Sequence, residues 1–193
     1  MKTICVYCGS SDKVNPLYLQ AAYQMGEALA ERGLELVYGA GKTGLMGAVA
    51  DGALSRGGSV IGVITEQFYT PQLAHMKLTR LEIAPDMHTR KRRLVELADG
   101  FIALPGGYGT FDELFEILTW AQIGLHSKAV GLLNVQAYFD PLLTMVEHAR
   151  HEGFIYDEHR ALFSHSADPG ELLALLEGYS PPSDLARWVE REE

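Results

Sequence analysis

The feature that most constrains the fold is a regular alternation of short apolar runs and helix-period segments, joined by glycine-rich turns. The apolar runs predict strands at Thr3–Tyr7, Leu34–Tyr38, Val60–Ile64, Leu78–Ile83, Phe101–Leu104 and Val130–Leu133. Apolar residues at helical spacing predict helices at Leu17–Arg32, Leu45–Arg56, Met87–Ala98, Phe111–Ile123 and Tyr138–His151. Such alternation with short connections predicts the α/β class, with one doubly wound parallel sheet and helices on both faces.

The ends of the elements carry their own signals. Helix C-caps are expected at Gly33, Gly57, Gly100 and Gly153. Beyond them, Ala161–Ser166 predicts a last short strand, and Pro169–Leu176 predicts a short helix with Asp168 as its N-cap. The 193 residues fit one domain. We assign residues 1–178 to this α/β domain and residues 179–193 to a peripheral C-terminal tail.

Charge and composition exclude several classes of function. The formal net charge of −9 argues against a nucleic-acid or anionic-membrane surface, since either needs a basic stripe. The N-terminal segment has one lysine and a short apolar run, and no stretch approaches the roughly 18 apolar residues of a membrane span. We therefore expect a cytoplasmic protein.

The two cysteines, Cys5 and Cys8, form a C-x-x-C pattern. Because they fall on a predicted strand, whose side chains alternate between faces, their thiols should point to opposite sides of the sheet. A redox C-x-x-C instead begins a helix, and no second cysteine pair completes a zinc site. We predict two buried structural cysteines and no metal site.

The first glycine-rich turn follows the second predicted strand and opens a helix. It matches G-x-G-x-x-G at Gly39, Gly41 and Gly44, and Glu66 lies about twenty residues further on, as in dinucleotide-binding sites. That motif generally follows the first strand, however, and a P-loop would need glycine where Leu36 stands. Two interpretations stay open: a backbone that approaches an anion, or a merely tight turn.

The second glycine-rich turn, PGGYGTFDE from Pro105, leads from an apolar strand into a helix. Glycines let the backbone approach a ligand closely, and the free N–H groups of a first helical turn suit a phosphate. Thr110 is expected to cap this helix or to donate its hydroxyl to that phosphate. The Glu113 carboxylate would either lie near whatever the phosphate carries or form a capping box with Thr110.

PGGYGTFDE, together with the upstream segment Met87-His88-Thr89-Arg90-Lys91, resembles the LOG ("lonely guy") family. These are the cytokinin riboside 5′-monophosphate phosphoribohydrolases, which older descriptions called lysine decarboxylases. The resemblance extends from CVYCGSS through GAGKTGLMG to TWAQIG and VGLLN. It implies a Rossmann-like fold, a nucleotide-binding role for residues 1–178, a homodimer, an AMP-like substrate, and neither cofactor nor metal.

Carried over by position, the resemblance implies that Arg90 and Glu113 are the catalytic pair. The residues expected to bind the phosphate or the rest of the nucleotide are Ser10, Gly41, Gly44, Gln72, Met87, Lys91, Gly107, Gly109, Thr110 and Thr119. Gln72 stands where many relatives have glutamate.

A pyridoxal phosphate decarboxylase would need a Schiff-base lysine. Lys42 and Lys91, the lysines of the best-placed loops, are better explained as phosphate contacts.

The function predicted from the sequence is hydrolysis of the N-glycosidic bond of AMP-like nucleotides, N6-prenylated ones among them, to free base and ribose 5-phosphate. The expected partner is a small nucleotide, with neither nucleic acid nor membrane involved. Two alternatives remain at this stage. One is a nucleotide or cofactor carrier without turnover on the same fold, and the other is an NAD(P)-dependent oxidoreductase.

Overall fold

The fold is known from a computed structural model that describes residues 1–183 and 185. The strands of this part of the chain are β1 (Thr3–Tyr7), β2 (Glu35–Tyr38), β3 (Val60–Thr65), β4 (Arg80–Ala84), β5 (Gly100–Ala103), β6 (Ala129–Leu133) and β7 (Ser164–Ser166). Its α-helices are α1 (Pro16–Glu31), α2 (Gly44–Ser55), α3 (Met87–Leu97), α4 (Tyr108–Gln122), α5 (Asp140–His151) and α6 (Pro169–Glu177). Short 3-10 turns cover Glu66–Phe68, Val135–Ala137 and Asp157–Leu162.

The strands form one parallel sheet in the order β4-β3-β2-β1-β5-β6-β7, which confirms the predicted doubly wound architecture. The central strand β1 pairs with β2 on one side and with β5 on the other, so that Cys5 lies between Val37 and Phe101. The strand order reverses between β1 and β5. In open α/β sheets, ligands bind at the carboxyl ends of the strands beside such a reversal.

Helices cover both faces of the sheet, as predicted. One apolar core holds Ile4 and Val6 of β1 together with buried residues of α1, α2 and α6. The opposite core holds Cys5 with buried residues of α3 and α4. Cys8 belongs to the first of these cores, and both cysteines are free and buried. The prediction of two structural thiols on opposite faces is therefore confirmed.

The helices α1 and α2 pack with their backbones almost in contact. A Cβ atom at Gly26 would lie 2.1 Å from the Val49 carbonyl oxygen, and one at Gly52 would lie 2.0 Å from the Tyr23 carbonyl oxygen. Each helix thus places a glycine against the backbone of the other. This close approach holds α2, and the glycine turn that precedes it, firmly on the first core.

Three of the four predicted helix-end glycines are confirmed by positive φ angles: 67° at Gly33, 72° at Gly57 and 80° at Gly153. The prediction for Gly100 is wrong. Helix α3 ends earlier, at Leu97, and Gly100 begins β5, where it pairs with Ile4. Gly100 therefore belongs to the sheet and does not terminate a helix.

Element boundaries differ from the prediction at α4, which begins at Tyr108 rather than Phe111, and in the elements after β6. Helix α5 begins at Asp140 rather than Tyr138, because Gln136 and Ala137 adopt positive φ angles of 51° and 56°. The predicted strand Ala161–Ser166 is reduced to β7, since a 3-10 turn runs through Leu162.

The tail predicted for residues 179–193 lies largely outside the described residues. Its first residue, Tyr179, packs against the core of α1, α2 and α6, so the chain stays attached just past α6. Across the described ranges, no helix combines the length and apolar character that crossing a bilayer demands.

Candidate active site

A cleft of about 290 Å³ opens at the carboxyl ends of the strands, beside the reversal in strand order. Its lining is Ser10, Gly39, Gly41, Thr43, Met46, Ile64, Phe68, Leu73, Met87 and Arg90. Most of these side chains are apolar or absent, and Arg90 brings a positive charge among them. Concave, largely apolar sites with a few polar groups are typical of small-molecule binding.

Arg90 is held from several sides. Its Nε donates to the Val63 carbonyl oxygen at the end of β3 (2.9 Å), and its Nη1 donates to Glu113 Oε1 (3.2 Å). Nη1 also lies 3.4 Å from the Met87 sulfur. A Cβ at Gly39 would lie 1.9 Å from Nη2, so the guanidinium occupies the space that a side chain at position 39 would take. The first glycine turn therefore makes room for Arg90.

Glu113 faces Arg90 from α4, and the two side chains are only 14% and 11% exposed. Burial raises the pKa of the Glu113 carboxyl above its ordinary value, while the charge and hydrogen bond of Arg90 oppose this rise only in part. Within the described chain, Oε2 of Glu113 accepts no hydrogen bond and is free to contact a ligand or water.

The capping-box interpretation of Glu113 is wrong. The N-cap of α4 is Gly107, and Thr110 lies inside the first turn of the helix. Glu113 therefore has no N-cap hydroxyl to pair with, and its carboxylate bonds to Arg90 of α3 instead.

The N-terminus of α4 is a candidate anion site. No acceptor in the described residues meets the N–H groups of Tyr108, Gly109 and Thr110, and the Thr110 hydroxyl is equally free. A Cβ at Gly107 or Gly109 would point into open space. Free N–H groups at the positive end of a helix bind phosphate well.

Two contacts fix the turn before α4. Gly106 cannot carry a side chain, because a Cβ there would lie 2.1 Å from the Thr110 hydroxyl oxygen. Its carbonyl oxygen accepts a short hydrogen bond from the Tyr138 hydroxyl. The Gly9 N–H donates to the Pro105 carbonyl oxygen (3.1 Å). Ser10, the next residue, lines the cleft, so the anion site and the cleft meet at this point.

The N-terminus of α2 is not open in this way. The Asp12 carboxylate accepts from the Gly44 N–H (2.7 Å), and the Gly9 carbonyl oxygen accepts from the Met46 N–H (3.2 Å). Gly44 is required for its φ of 60° and does not line the cleft, whereas Gly41 does. Of the two interpretations of this turn, the structure favours a tight turn that borders the ligand over a phosphate cradle.

Besides Gly44, three of the residues expected to bind the nucleotide lie away from both the cleft and the N-terminus of α4. Lys91 Nζ donates to Asp112 and Glu116 of α4, each at 3.0 Å, and so joins the two helices. Thr119 is exposed, and its hydroxyl donates to the Phe115 carbonyl oxygen of its own helix. Gln72 is exposed and does not line the cleft, although its neighbour Leu73 does.

Sequence reasoning missed several residues of the site. Asp12 caps α2, Tyr138 holds the turn before α4, and Ile64, Phe68 and Leu73 form the apolar wall. The position of Ile64 at the carboxyl end of a buried strand was an available signal, because ligands gather at that edge. Nothing in the sequence pattern marked Asp12 or Tyr138, since both act on backbone groups far away in the chain.

Fold and site together define a Rossmann-like α/β protein with a cleft at the carboxyl ends of its strands, a candidate anion site beside it and a buried arginine–glutamate pair. A family model described as "Possible lysine decarboxylase" matches residues 46–176. The chain is 45% identical over 183 residues to cytokinin riboside 5′-monophosphate phosphoribohydrolase LOG7 of Arabidopsis thaliana, covering 95% of this chain and 84% of that protein. It is 43% identical to the rice (Oryza sativa subsp. japonica) LOG enzyme, covering 95% and 76%. The chain therefore belongs to the LOG family.

Solved structures support the fold. The molybdenum cofactor binding protein of Rippkaea orientalis superposes with a TM-score of 0.68 at 20% identity, over 92% of this chain and 96% of that one. The molybdenum cofactor carrier protein of Chlamydomonas reinhardtii gives 0.68 at 21%, over 91% and 96%. At such identity the likeness extends to the fold alone.

Proposed function

We propose that this protein hydrolyses the N-glycosidic bond of AMP-like nucleoside 5′-monophosphates, including those with an N6-modified adenine, to free base and ribose 5-phosphate. This is the reaction after which its relatives at 42–45% identity are named. The observation that carries the proposal is the buried Arg90–Glu113 pair, with a free carboxylate oxygen, on the helix whose N-terminal N–H groups are open. A phosphate site and a carboxylate on the same helix suit a phosphorylated sugar.

The helix α4 sets the distance between phosphate and carboxylate. The phosphate binds at the N–H groups of Tyr108, Gly109 and Thr110, and the ribose then extends toward Glu113, one turn further along the helix. Binding energy from the phosphate holds C1′ beside the carboxylate. Free nucleosides should consequently be poor substrates.

Cleavage of the C1′–N bond leaves its electron pair on the base and builds positive charge on the ribose ring. The Glu113 carboxylate stabilises this charge and orients the water whose oxygen then bonds to C1′, as carboxylates do in glycoside hydrolysis. The proton released by that water balances the one that the departing base takes up. Arg90 keeps Glu113 in place and offsets negative charge on the phosphate or the base.

The other interpretations fit less well. A carrier without turnover does not require the buried Arg90–Glu113 pair, and the carrier structures resemble this chain only at the level of fold. A dinucleotide would need the N-terminus of α2, which Asp12 occupies. For a lysine decarboxylase the residues present do not fit, because Lys42 donates to the Pro71 carbonyl oxygen and Lys91 to two carboxylates of α4.

The experiment compares the wild-type protein with Glu113→Gln in an HPLC assay of AMP, isopentenyl-AMP, GMP and CMP. We expect wild-type protein to release free base from the adenine nucleotides, and Glu113→Gln to lose at least about 100-fold in rate while AMP still binds. Glu31→Gln at the exposed end of α1, away from the cleft, is the control and should keep full activity. AMP binding without any release of base by the wild type would favour the carrier function instead.

We also propose a homodimer. The large apolar residues Phe115 on α4 and Leu125 just after it are 39% and 67% exposed, on the side of the molecule that carries Thr119. Lys91 and Thr119 lie outside this protomer's own cleft, so a ligand contact through either one needs a second copy. Light scattering of the wild type and of Leu125→Glu tests the assembly: the wild type should have twice the monomer mass and the variant less. The cytoplasmic location stays a prediction from the sequence.

A further inference from the structure

The connection from β3 to β4, residues 66–79, supplies part of the cleft wall through Phe68 and Leu73. Its apolar anchors are Ala74 and Leu78, which pack beside Ala40 and Ile64, whereas Phe68 and Leu73, the residues that face the cleft, are 41% and 45% exposed. Hydrogen bonds therefore help to hold this part of the wall in place.

Two backbone hydrogen bonds join the wall to the first glycine turn. The Lys42 N–H donates to the Leu73 carbonyl oxygen and the His75 N–H to the Ala40 carbonyl oxygen, each at 2.9 Å. Gly41 and Ala74 form an isolated antiparallel bridge between these two bonds. The wall thus runs along the turn as a short two-stranded ribbon, a unit that has marginal stability by itself.

The side chain of His75 ties this ribbon to a third element. Its Nδ1 accepts from the Lys77 N–H (3.3 Å), so Nε2 carries the ring proton and donates to Asp51 Oδ1 on α2 (3.0 Å). The His75 ring is 8% exposed, whereas Asp51 is 61% exposed and lines no part of the cleft. A buried donor is thereby satisfied by a carboxylate that has no contact with the ligand site.

We propose that Asp51 and His75 are positioning residues that hold the Phe68–Leu73 wall against the end of the cleft that receives the base. This inference rests on the proposed function, since it assigns the apolar end of the cleft to the base and the α4 end to the phosphate. The Asp51–His75 bond acts on the base end alone, because segment 66–79 makes no hydrogen bond to the α4 N-terminus within the described chain.

The affinities of two ligands report separately on the two ends of the cleft. AMP contacts both, and ribose 5-phosphate contacts only the phosphate and ribose end. Binding is measured by calorimetry in the Glu113→Gln background, so that AMP is not consumed. We expect Asp51→Ala to weaken AMP binding about fivefold to tenfold and to change ribose 5-phosphate binding less than about twofold. Asp51→Asn, whose amide oxygen still accepts from Nε2, should keep AMP affinity near that of the parent.

A matched pair of variants controls for general destabilisation. His126 has the same local arrangement as His75: its Nδ1 accepts from the Lys128 N–H (3.1 Å), and its Nε2 bonds to the Ile117 carbonyl oxygen (2.8 Å), away from the cleft. His75→Ala should weaken AMP binding selectively, and His126→Ala should leave the ratio of the two affinities unchanged.

Three results would overturn the inference. Equal AMP affinity in Asp51→Ala and its parent contradicts the positioning role, as does an equal loss for both ligands. A parent protein that fails to bind AMP contradicts the proposed function and, with it, this assignment. The first two outcomes leave the proposed function intact, so the failures are distinguishable.

Discussion

Arg90 shows how a single side chain depends on residues from several parts of the chain. The Val63 carbonyl oxygen, Glu113 and the bare backbone of Gly39 surround its guanidinium. Each contact comes from a different element, so the orientation of Arg90 is set before a ligand arrives. Such preorganisation is what a catalytic or ligand-binding cation requires.

The requirement for glycine at position 39 can be tested directly. In Gly39→Ala, the new Cβ would overlap Arg90 Nη2 at 1.9 Å and displace the guanidinium. We expect kcat/KM for AMP to fall about 100-fold, since small misplacements of a catalytic group have effects of this size. Gly178→Ala is the control, because its Cβ would meet its nearest atom, the Ala174 carbonyl oxygen, at an ordinary 3.5 Å. Unchanged activity in Gly39→Ala would show that the reaction does not require the Arg90 guanidinium at this position.

The pKa of Glu113 predicts the pH dependence of the reaction. In the proposed reaction the carboxylate acts in its ionised form, and burial raises its pKa despite the opposing charge of Arg90. Activity should therefore be lost as pH falls through this raised pKa, which places the acid limb of the kcat/KM profile above the ordinary range of glutamate. A profile measured on AMP checks this. An acid limb within or below that range would mean that another group controls the activity.

At the scale of elements, two helices that follow glycine-rich turns have acquired different roles. Asp12 and Gly9 occupy N–H groups at the start of α2, and the turn before it borders the cleft. The start of α4 is left open, with Gly107 as an N-cap that has no side chain. Because a helix N-terminus favours negative charge, the Asp12 carboxylate satisfies the start of α2, whereas the start of α4 keeps its N–H groups available for the phosphate of the proposed substrate.

The close packing of α1 on α2 gives a prediction about stability. Gly26→Ala would place a Cβ 2.1 Å from the Val49 carbonyl oxygen and force the helices apart. We expect a loss of about 3 kcal/mol in the free energy of unfolding, as for overpacked cores, measured by urea denaturation. Gln24→Ala, on the exposed side of the same helix, should change the free energy of unfolding by less than about 0.5 kcal/mol. Equal stabilities of the two variants would contradict the packing argument.

At the scale of the whole molecule, the reversal of strand order between β1 and β5 creates the site. The loops after β1 and β5 lead to helices on opposite faces of the sheet and meet at the Gly9–Pro105 hydrogen bond, and the cleft extends from Ser10 over the carboxyl ends of β2 and β3. At the other edge of the same two strands, Asp99 accepts from the N–H groups of Lys2 (2.6 Å) and Thr3 (3.1 Å). It thereby joins the start of β1 to the start of β5.

This attachment should make stability depend on pH. Hydrogen bonds from the Lys2 and Thr3 N–H groups hold the pKa of Asp99 below its ordinary value. A carboxyl with a lowered pKa stabilises the folded state at neutral pH, and this stabilisation is lost as pH falls through the lowered pKa. We expect Asp99→Asn to lower the free energy of unfolding by about 1 kcal/mol at neutral pH and by less in acid.

The control for this prediction is Asp157→Asn. Asp157 is 84% exposed and forms an ion pair with Arg150 at the surface, which should contribute little to stability. Denaturation of both variants at neutral and acidic pH makes the comparison. If the free energies of unfolding of wild type and Asp99→Asn differed by the same amount at neutral and acidic pH, ionisation of Asp99 would not contribute to stability.

The sequence by itself determined the class of fold and the approximate location of the elements, and the family resemblance directed attention to Arg90 and Glu113. Hydrophobic periodicity and glycine placement are local properties, so β1, α2 and the turn before α4 could be predicted from neighbouring residues. Arg90 and Glu113 were expected to act as a pair only because the family resemblance implies it. Whether Glu113 served its own helix or another element stayed open.

The tertiary structure decided which of these groups meet. It paired Glu113 with Arg90, turned Lys91 and Thr119 away from the cleft, and filled the start of α2 with Asp12. It also placed His75 against Asp51, a contact between residues that no motif connects. These outcomes depend on side-chain direction and on distances across the sheet, which the order of strands fixes and a one-dimensional pattern does not contain.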